Sequence, residues 1–315
     1  MCQRTDEAAG EIGWLVPGAC LLLMIMVTAP LSAQQPADSP VEAATDLDTE
    51  NARRRLDFIN KASSRFELTV HEETDAVSRL IPGPLLRWSN PQSTASDGVL
   101  IGFSRGGRPD VLAQFAMHSE KNIVHEFHAT CERPLSMKRD GQGEFWRYDV
   151  PSIEFRTLSG VKPPVDSETA RMVQFRQIGE SFEVFDEHGW TRPVRQVLRL
   201  LRQPVYRYHD EKAGIIDGVV MPFVLGTDPE AILMIEAFQS EDGPQWRYAF
   251  CEMTIYALQA FRSGEMVWEK PDRRVFCQSG VAHYVCPYRP APDDPSLKGA
   301  FQTGRAEVKP TPAKK

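Results

Sequence analysis

Two stretches of this chain, residues 66–146 and 182–268, share one pattern of residues. Nine residues recur always 120 positions later: Asp97, Gly98, Val99, Phe103, Gly106, Pro109, Ala129, Cys131 and Glu132 correspond to Asp217, Gly218, Val219, Phe223, Gly226, Pro229, Ala249, Cys251 and Glu252. The offset is 116 between Phe66 and Phe182 and 122 between Trp146 and Trp268, which is the drift that short loop insertions produce. A repeat of this length sets the architecture, and it predicts a tandem duplication.

Each copy begins with a predicted helix. Apolar residues at helical spacing predict one helix over residues 48–63 and a second over residues 166–181. Alternating apolar residues between turn residues predict strands at 66–71, 99–104, 111–118 and 123–131 and a hairpin over 135–146 in the first copy. In the second copy they predict strands at 182–185, 197–208, 219–225, 232–238 and 246–254 and a hairpin over 255–268. Connections this short exclude crossover helices, so the sheets should be antiparallel. We predict an α+β fold, a tandem duplication of a helix plus antiparallel β-meander unit.

The remaining segments differ in composition from the two copies. The predicted order is a signal peptide or N-terminal anchor (1–33), a flexible leader (34–47), repeat unit 1 (48–150), repeat unit 2 (166–270), a Cys-containing extension (271–290) and a disordered tail (291–315). The tail is assigned as disordered because it is rich in proline and charge.

The N-terminal segment indicates export. The apolar run from Leu15 to Val27 has the length of a signal peptide, and Ala33 is the small residue that cleavage before Gln34 requires. The alternative is an uncleaved anchor over residues 14–33, which are enough to span a bilayer. Both predict an extracytoplasmic protein, whether periplasmic, secreted or at the cell surface. A membrane is a partner only if the segment stays uncleaved.

Four cysteines follow the predicted cleavage site, and an oxidising compartment permits disulfides. Cys277 and Cys286 are predicted to close a short loop. Cys131 and Cys251 are equivalent positions of the repeat, and because equivalents can touch near a local two-fold axis, a second bridge between them is one interpretation. The alternative is that both are small, buried strand residues.

The formal net charge of −7, without a cluster of lysine and arginine, excludes a nucleic-acid partner. No other partner is predicted from the charge pattern.

Four stretches resemble a known family: Leu85-Leu86-Arg87-Trp88-Ser89-Asn90-Pro91, His125-Glu126-Phe127-His128, residues 198–208 and Gly226-Thr227-Asp228-Pro229-Glu230. They are similar to a family of uncharacterised exported proteins abundant in planctomycete bacteria, over roughly residues 50–270. The resemblance implies export but no activity, ligand or catalytic residue. The extension with Cys277 and Cys286 departs from the family pattern.

Two motifs resemble catalytic or metal-binding motifs, but the predicted secondary structure around each of them does not support that function. Gly102-Phe103-Ser104-Arg105-Gly106 matches the nucleophile elbow, but a β-turn follows where a helix is required. His125 and His128, with Glu126 between them, are one residue short of the helical zinc motif, and on a strand positions three apart point to opposite faces. We therefore interpret these histidines, with His118, as half-exposed strand residues.

Two further groups of residues have side chains that are typical of a catalytic dyad or of a zinc site. Asp97/Asp217 and Glu132/Glu252 could form a dyad across an axis, but the aspartates stand in ordinary Asp-Gly turns. Cys277, His283 and Cys286 lack a fourth zinc ligand at a usual spacing. We predict no catalytic residue, no metal site and no cofactor.

One predicted strand carries an aromatic strip, in which Trp246, Tyr248 and Phe250 share a face. The residues 120 positions earlier, Glu126, His128 and Thr130, are polar. One interpretation is a face that is buried core in one half and solvated in the other. The alternative is a strip that binds a ligand or partner.

The function that these observations favour is an exported, non-catalytic binding or structural protein, more in keeping with the motifs than an enzyme. A hydrolase at the inter-repeat junction is one alternative, and it predicts a deep cleft with titratable groups in hydrogen-bond reach. A small apolar ligand-binding protein is the other, and it predicts an apolar pocket on the order of several hundred Å³.

Overall fold

The structure, a computed structural model, describes residues 46–72, 74, 76–90, 95–189 and 191–302. The described residues belong to one unit. The predicted signal peptide or anchor, the leader up to residue 45 and the tail from residue 303 lie outside them. No helix within the described ranges combines the length and apolarity needed to cross a membrane.

The elements follow the chain in two similar series. The first comprises α1 (Asp46–Ser63), β1 (Phe66–Val70), β2 (Ala76–Leu80), β3 (Leu86–Asn90), β4 (Ala95–Ser104), β5 (Pro109–Met117), β6 (Ile123–Ala129), β7 (Leu135–Arg139) and β8 (Gly143–Tyr148). After β9 (Arg156–Thr157) the second comprises α2 (Glu168–Glu180), β10 (Phe182–His188), β11 (Val194–Leu200), β12 (Tyr206–Asp210), β13 (Ile215–Leu225), β14 (Asp228–Ser240), β15 (Gly243–Glu252), β16 (Leu258–Arg262) and β17 (Glu265–Lys270), and β18 (His283–Pro287) comes last.

The strands form two nine-stranded sheets in which every pair is antiparallel, so the predicted antiparallel sheet is confirmed. The first sheet runs β18-β6-β5-β4-β2-β1-β7-β8 with β3 beside β4, and the second runs β17-β16-β10-β11-β13-β14-β15-β9 with β12 beside β13. Apart from the edge strands β18 and β9, the order of one sheet matches that of the other strand by strand. With two helices against eighteen strands, the described fold is dominated by β-structure.

Each helix covers one face of one sheet. Phe58 and Ile59 of α1 are buried against the first sheet, and Phe175 of α2 is buried against the second. The opposite faces of the central strands pack on each other, and Leu100 of β4 shares a cluster there with Met234 of β14. The layers are therefore helix, sheet, sheet, helix, and both halves of the chain line the junction between the sheets.

The third strand of the meander does not follow the offset of 120 residues. Val111 of β5 pairs with Ala129, whereas Ala231 of β14 pairs with Glu252, 123 positions after Ala129. The hairpin between β14 and β15 is longer, and it shifts β15 by three residues. Because side chains alternate along a strand, an odd shift moves each residue to the opposite face of the sheet.

This shift explains why the predicted bridge between Cys131 and Cys251 is not formed. Both are free, buried thiols, as in the alternative interpretation. Cys131 packs in the core under α1, whereas Cys251 packs in the junction between the sheets. The predicted disulfide between Cys277 and Cys286 is present, with a Cα–Cα distance of 4.8 Å.

The same shift determines the surroundings of the aromatic strip. Trp246, Tyr248 and Phe250 point towards α2 and are at most 7% exposed. Trp246 contacts Phe175 edge-on, with ring centroids 5.0 Å apart. The strip is core beneath the helix and offers no exposed patch to a ligand.

The predicted disordered tail is ordered as far as Gln302. Leu297 and Ala300 are buried in the core beneath α1. Arg54 donates a hydrogen bond to the carbonyl of Lys298 at 2.8 Å, and Asn51 donates one to the carbonyl of Gln302 at 2.9 Å. Side chains of α1 thus bind the carbonyl groups of this segment, which its proline and charge content did not predict.

Candidate functional site

A row of four residues crosses the second sheet and carries a buried ion-pair network. Tyr208, Gly218, Glu236 and Arg247 are successive cross-strand partners on β12 to β15. The fully buried carboxylate of Glu236 accepts hydrogen bonds from Tyr208 at 2.8 Å and from Arg247 at 2.6 Å. Arg108, from the β4–β5 turn of the first sheet, donates two more at 2.7 and 3.0 Å. The side chains of this network therefore fill this side of the junction between the two sheets.

The corresponding row of the first sheet consists of Trp88, Gly98, Ala116 and Val124, again successive partners on β3 to β6. Small and apolar side chains thus replace the glutamate and the arginine of the other row. In the β13–β14 turn, the residue at the position of Arg108 is Asp228. Within the part of the chain that the structure describes, this row therefore has no counterpart of the ion pairs of Glu236, and a cavity of about 420 Å³ lies here instead.

Both rows depend on a glycine beneath an aromatic ring. A Cβ atom on Gly98 would lie 2.2 Å from the ring of Trp88, and one on Gly218 would lie 2.4 Å from the ring of Tyr208. The ring therefore lies flat on the sheet at the same place in both halves. On the first sheet this makes Trp88 one wall of the cavity.

Apolar walls and an acidic end characterise the cavity, which we call the junction pocket. Its apolar lining includes Trp88, Ala95, Ala116, Val124, Met253, Ile255, Phe276 and Val285, and its polar lining includes Gln114, His118, Glu126, His188, Asp228, Glu230, Thr254 and Tyr256. None of the described lining residues is an arginine or a lysine. The pocket therefore favours positive over negative charge.

Two buried polar groups of the pocket wall have no hydrogen-bond partner within the ranges that the structure describes. They are the indole nitrogen of Trp88, 4% exposed, and the amide oxygen of Gln114, 3% exposed. The amide nitrogen of Gln114 is satisfied, because it donates to the carbonyl of Met253 at 3.0 Å. Buried polar groups without partners are rare, and each costs about 1–3 kcal/mol, so a donor and an acceptor stand ready for a ligand.

The acidic end holds carboxyl groups whose pKa values are raised. Burial, together with the carboxylates of Asp228 and Asp186, raises the pKa of Glu230 well above its ordinary value. Burial and the carboxylates of Glu126 and Asp186 do the same to the pKa of Asp228, although Asn90 donates a hydrogen bond to it at 3.3 Å. The pKa of Asp186 is also raised by burial. Each shift means that the negative charge lacks full compensation.

Asp186, His188 and Glu230 bring three donor atoms within 4.8 Å of one another. The imidazole Nδ1 of His188 lies 3.3 Å from one carboxylate oxygen of Asp186, and the other oxygen, Oδ1, is buried without a partner. The side chain of Asp186 is completely buried beneath the pocket wall that His188 and Glu230 form.

The equivalent acid of the first sheet is neutralised. Asp110, which precedes Glu230 by 120 positions, accepts hydrogen bonds from Ser78 at 2.8 Å and from Arg105 at 2.9 Å. The positions of Ser78 and Arg105 are occupied in the second half by Leu198 and Leu225. Glu230 therefore lacks the arginine that holds its counterpart, and its hydroxyl partner is Thr254 instead of a residue at the position of Ser78.

A second polar cluster joins β6 and β18 of the first sheet to β15 of the second. His283 lies 3.1 Å from Glu126, and His128 lies 3.4 Å from Glu252. Burial would raise the pKa of Glu252, but the hydrogen bond with His128 and the positive charges of His283 and Lys270 outweigh it and lower that pKa. The carboxylates of Glu126 and Glu252 thus each lie beside an imidazole.

The histidines of the first sheet point to opposite faces, as the strand geometry predicts. His125 lies among aromatic rings under α1, and His128 lies in the junction. The prediction that they are half-exposed is wrong, because they are 6% and 2% exposed. His118 lines the junction pocket.

The other predicted groups do not form sites. Ser104 lies in a turn, where its hydroxyl accepts hydrogen bonds from the amides of Gly106 and Gly107 at 3.0 and 3.1 Å. Asp97 is held by Arg55 and Arg87, whereas Asp217 is held by Arg171 and Arg207, so each aspartate binds arginines of its own half and no dyad forms.

A larger groove of about 750 Å³ lies on the filled side of the junction. Its charged side chains pair with each other, as Arg105 does with Asp110 and Glu72 and as Arg108 does with Glu132. It offers a ligand no unpaired buried group among the residues described.

Sequence reasoning missed the acidic end of the pocket, since Glu230 follows Asp186 and His188 by more than 40 residues in the chain. Comparison of this chain with protein-family models, with curated proteins and with solved structures finds no match.

Proposed function

We propose that this chain is an exported binding protein, built from two homologous units, that takes a small amphipathic molecule with a positively charged end into the junction pocket. The observation that carries the proposal is the difference between the two rows. An ion-pair network fills the junction around Glu236, whereas at Ala116 the same place is a cavity with acidic groups.

Size and lining support a small ligand. A volume of about 420 Å³ falls in the range of small-molecule sites, which are mostly apolar with a few oriented polar groups. The unpaired indole nitrogen of Trp88 can donate to a ligand, and the unpaired oxygen of Gln114 can accept from one. Glu126, Asp228 and Glu230 favour a cationic end.

The homology of the two units is supported by more than the strand order. Arg55, Asp97 and Arg87 of the first half recur as Arg171, Asp217 and Arg207 of the second, with the same helix and the same strands contributing. Export is supported by the apolar leader and by the Cys277–Cys286 bridge, since disulfides persist in oxidising compartments.

A hydrolase at the junction is a second candidate, favoured by one observation. Asp186 and Glu230 are neighbouring carboxyl groups with raised pKa values, which is the arrangement used by general acids. Among the described lining residues, however, neither a serine nor a cysteine stands beside them as a nucleophile.

The binding proposal is tested with three probes of the same shape and different charge: benzylamine, benzyl alcohol and benzoate. Titrations followed by NMR use the full chain treated with a chelator and desalted. Benzylamine is expected to bind most tightly and benzoate least, because the lining carboxyl groups attract the ammonium group and repel the carboxylate.

Ala116→Leu fills the pocket, and we expect it to weaken benzylamine binding at least tenfold. Ala213→Leu, in an exposed turn of the charged groove, is the matched control and should leave binding unchanged. The proposal is overturned if none of the probes binds saturably, or if Ala116→Leu binds benzylamine as tightly as the unaltered chain.

A further inference from the structure

We propose that Asp186, His188 and Glu230 bind a divalent transition-metal ion, such as Zn²⁺ or Mn²⁺, in the wall of the junction pocket. The inference goes beyond the proposed function, because metal binding here stands on three side chains and needs no organic ligand.

The strands place the three donors together. Asp186 and His188 are two residues apart on β10, so their side chains leave the same face of the sheet. Glu230 comes from β14, and the three donor atoms lie within 4.8 Å of one another. Ligand atoms about 2.1 Å from a tetrahedral ion are about 3.4 Å apart, so closing on the metal requires side-chain movement on the order of 1 Å.

The unpaired oxygen of Asp186 is the second observation. Oδ1 is buried and has no hydrogen-bond partner among the described residues, although a buried carboxylate normally uses both of its oxygens. The positive charge of Lys270 acts on Asp186, but its ammonium group donates its hydrogen bonds to the carbonyls of Thr254 at 2.6 Å and Tyr256 at 3.0 Å. A metal ion would satisfy this oxygen and supply the positive charge that Arg105 gives to Asp110.

The donor set indicates the class of metal. One imidazole with two carboxylates suits borderline ions such as Zn²⁺ and Mn²⁺ better than soft ions that prefer thiolates. Three protein ligands leave a coordination position open, and because His188 and Glu230 line the pocket, it faces the cavity. An oxygen donor of a pocket ligand, such as a carboxylate, would complete the coordination, and this last step rests on the proposed function.

The test is calorimetric titration of the chelator-treated full chain with ZnCl₂ and with MnCl₂. We expect one saturable site for at least one of the two ions. His188→Ala and Asp186→Asn should each weaken that binding about 100-fold, since the first removes the imidazole ligand and the second removes the negative charge of a carboxylate ligand. His209→Ala, which removes an exposed histidine, is the matched control and should not change the affinity.

His188 is part-exposed, so His188→Ala remains informative even if Asp186→Asn fails to fold, and circular dichroism monitors folding. The inference is overturned if neither ion binds at one site per chain, or if a folded His188→Ala chain binds it as tightly as the original. If the His188→Ala chain binds the metal with unchanged affinity, then other residues bind the ion.

The two proposals fail separately. Ala116→Leu should weaken benzylamine binding at least tenfold and leave metal binding unchanged, because Ala116 lines the pocket but is not one of the three proposed metal ligands. Loss of amine binding alone therefore overturns only the proposed function, and loss of metal binding alone overturns only the metal site. Benzoate distinguishes the coupled step, because it should bind the metal-loaded chain at least tenfold more tightly than the metal-free chain. Unchanged benzoate binding would refute the open coordination position.

Discussion

Acid sensitivity should arise in large part from a single buried imidazole, that of His125. Its ring packs among Phe66, Phe115, Phe145 and Tyr288 at centroid distances of 5.5 to 6.1 Å, and its Nδ1 has no partner. Burial, with a smaller effect of the positive charge of Arg139, lowers the pKa of His125 to about 3.

The sign of the effect follows from the two states. In the unfolded chain the imidazole has a pKa of about 6.5, whereas in the folded chain it stays neutral until the pH nears 3. Between these values only the unfolded state takes up the proton, so stability is complete above pH 6.5 and falls as the pH decreases. At pH 5 this one group should cost about 2 kcal/mol of unfolding free energy.

The assay is urea unfolding followed by tryptophan fluorescence at pH 7.5 and pH 5.0. His125→Phe keeps an aromatic ring without a titratable nitrogen. When the pH is lowered from 7.5 to 5.0, the free energy of unfolding of this variant should therefore rise by about 2 kcal/mol relative to that of the unaltered chain. His209→Phe, at an exposed position, is the matched control and should show no such gain. If the difference in unfolding free energy between His125→Phe and the unaltered chain is the same at both pH values, the reasoning is refuted.

Two further predictions concern the junction and the cysteines. Arg108→Leu leaves the buried carboxylate of Glu236 with one cation fewer and should lower the free energy of unfolding by about 3 kcal/mol. Arg133→Leu, at an exposed position of the same groove, is the control and should change it by less than about 0.5 kcal/mol. Equal losses of the two variants in urea unfolding would contradict this prediction. Iodoacetamide at pH 8 should leave native Cys131 and Cys251 unlabelled, because both are buried and burial raises the pKa of Cys131 to about 11; rapid labelling seen by mass spectrometry would show otherwise.

The helices were predictable from apolar residues at helical spacing, of which Ile59 and Phe175 are buried, although Val173 of α2 is exposed. The helix predicted at 48–63 spans Asp46–Ser63, and the one predicted at 166–181 spans Glu168–Glu180 with Ser167 as its N-cap. The strands were less so. The single strand predicted at 197–208 is two, β11 and β12, and the equivalent strands β2 and β3 were missed, because at these positions the chain has one buried face and exposed residues that carry little pattern.

The candidate site was not predictable, for a physical reason that the register makes clear. Identical residues set the frame of the repeat, yet a three-residue lengthening of one hairpin turns the faces of β15 over relative to β6. The information about the site lay in the equivalent positions at which the two halves carry different residues. Leu225 in place of Arg105, and Asp228 in place of Arg108, mark where the second half loses cations, but their meaning depends on which side chains share a face.

The strand β18 has a consequence for how the molecule is made. It pairs with β6 and completes the first sheet, although 153 residues separate the end of β6, Ala129, from His283. A ribosome delivers the chain from its N-terminus, so the first half emerges with an open sheet edge and with the core under α1 lacking Leu297 and Ala300. Open edges recruit other strands, and contacts this distant in sequence form late. The nascent protein must therefore be kept from self-association until its last residues arrive, and a chain truncated before β18 should accumulate as aggregates.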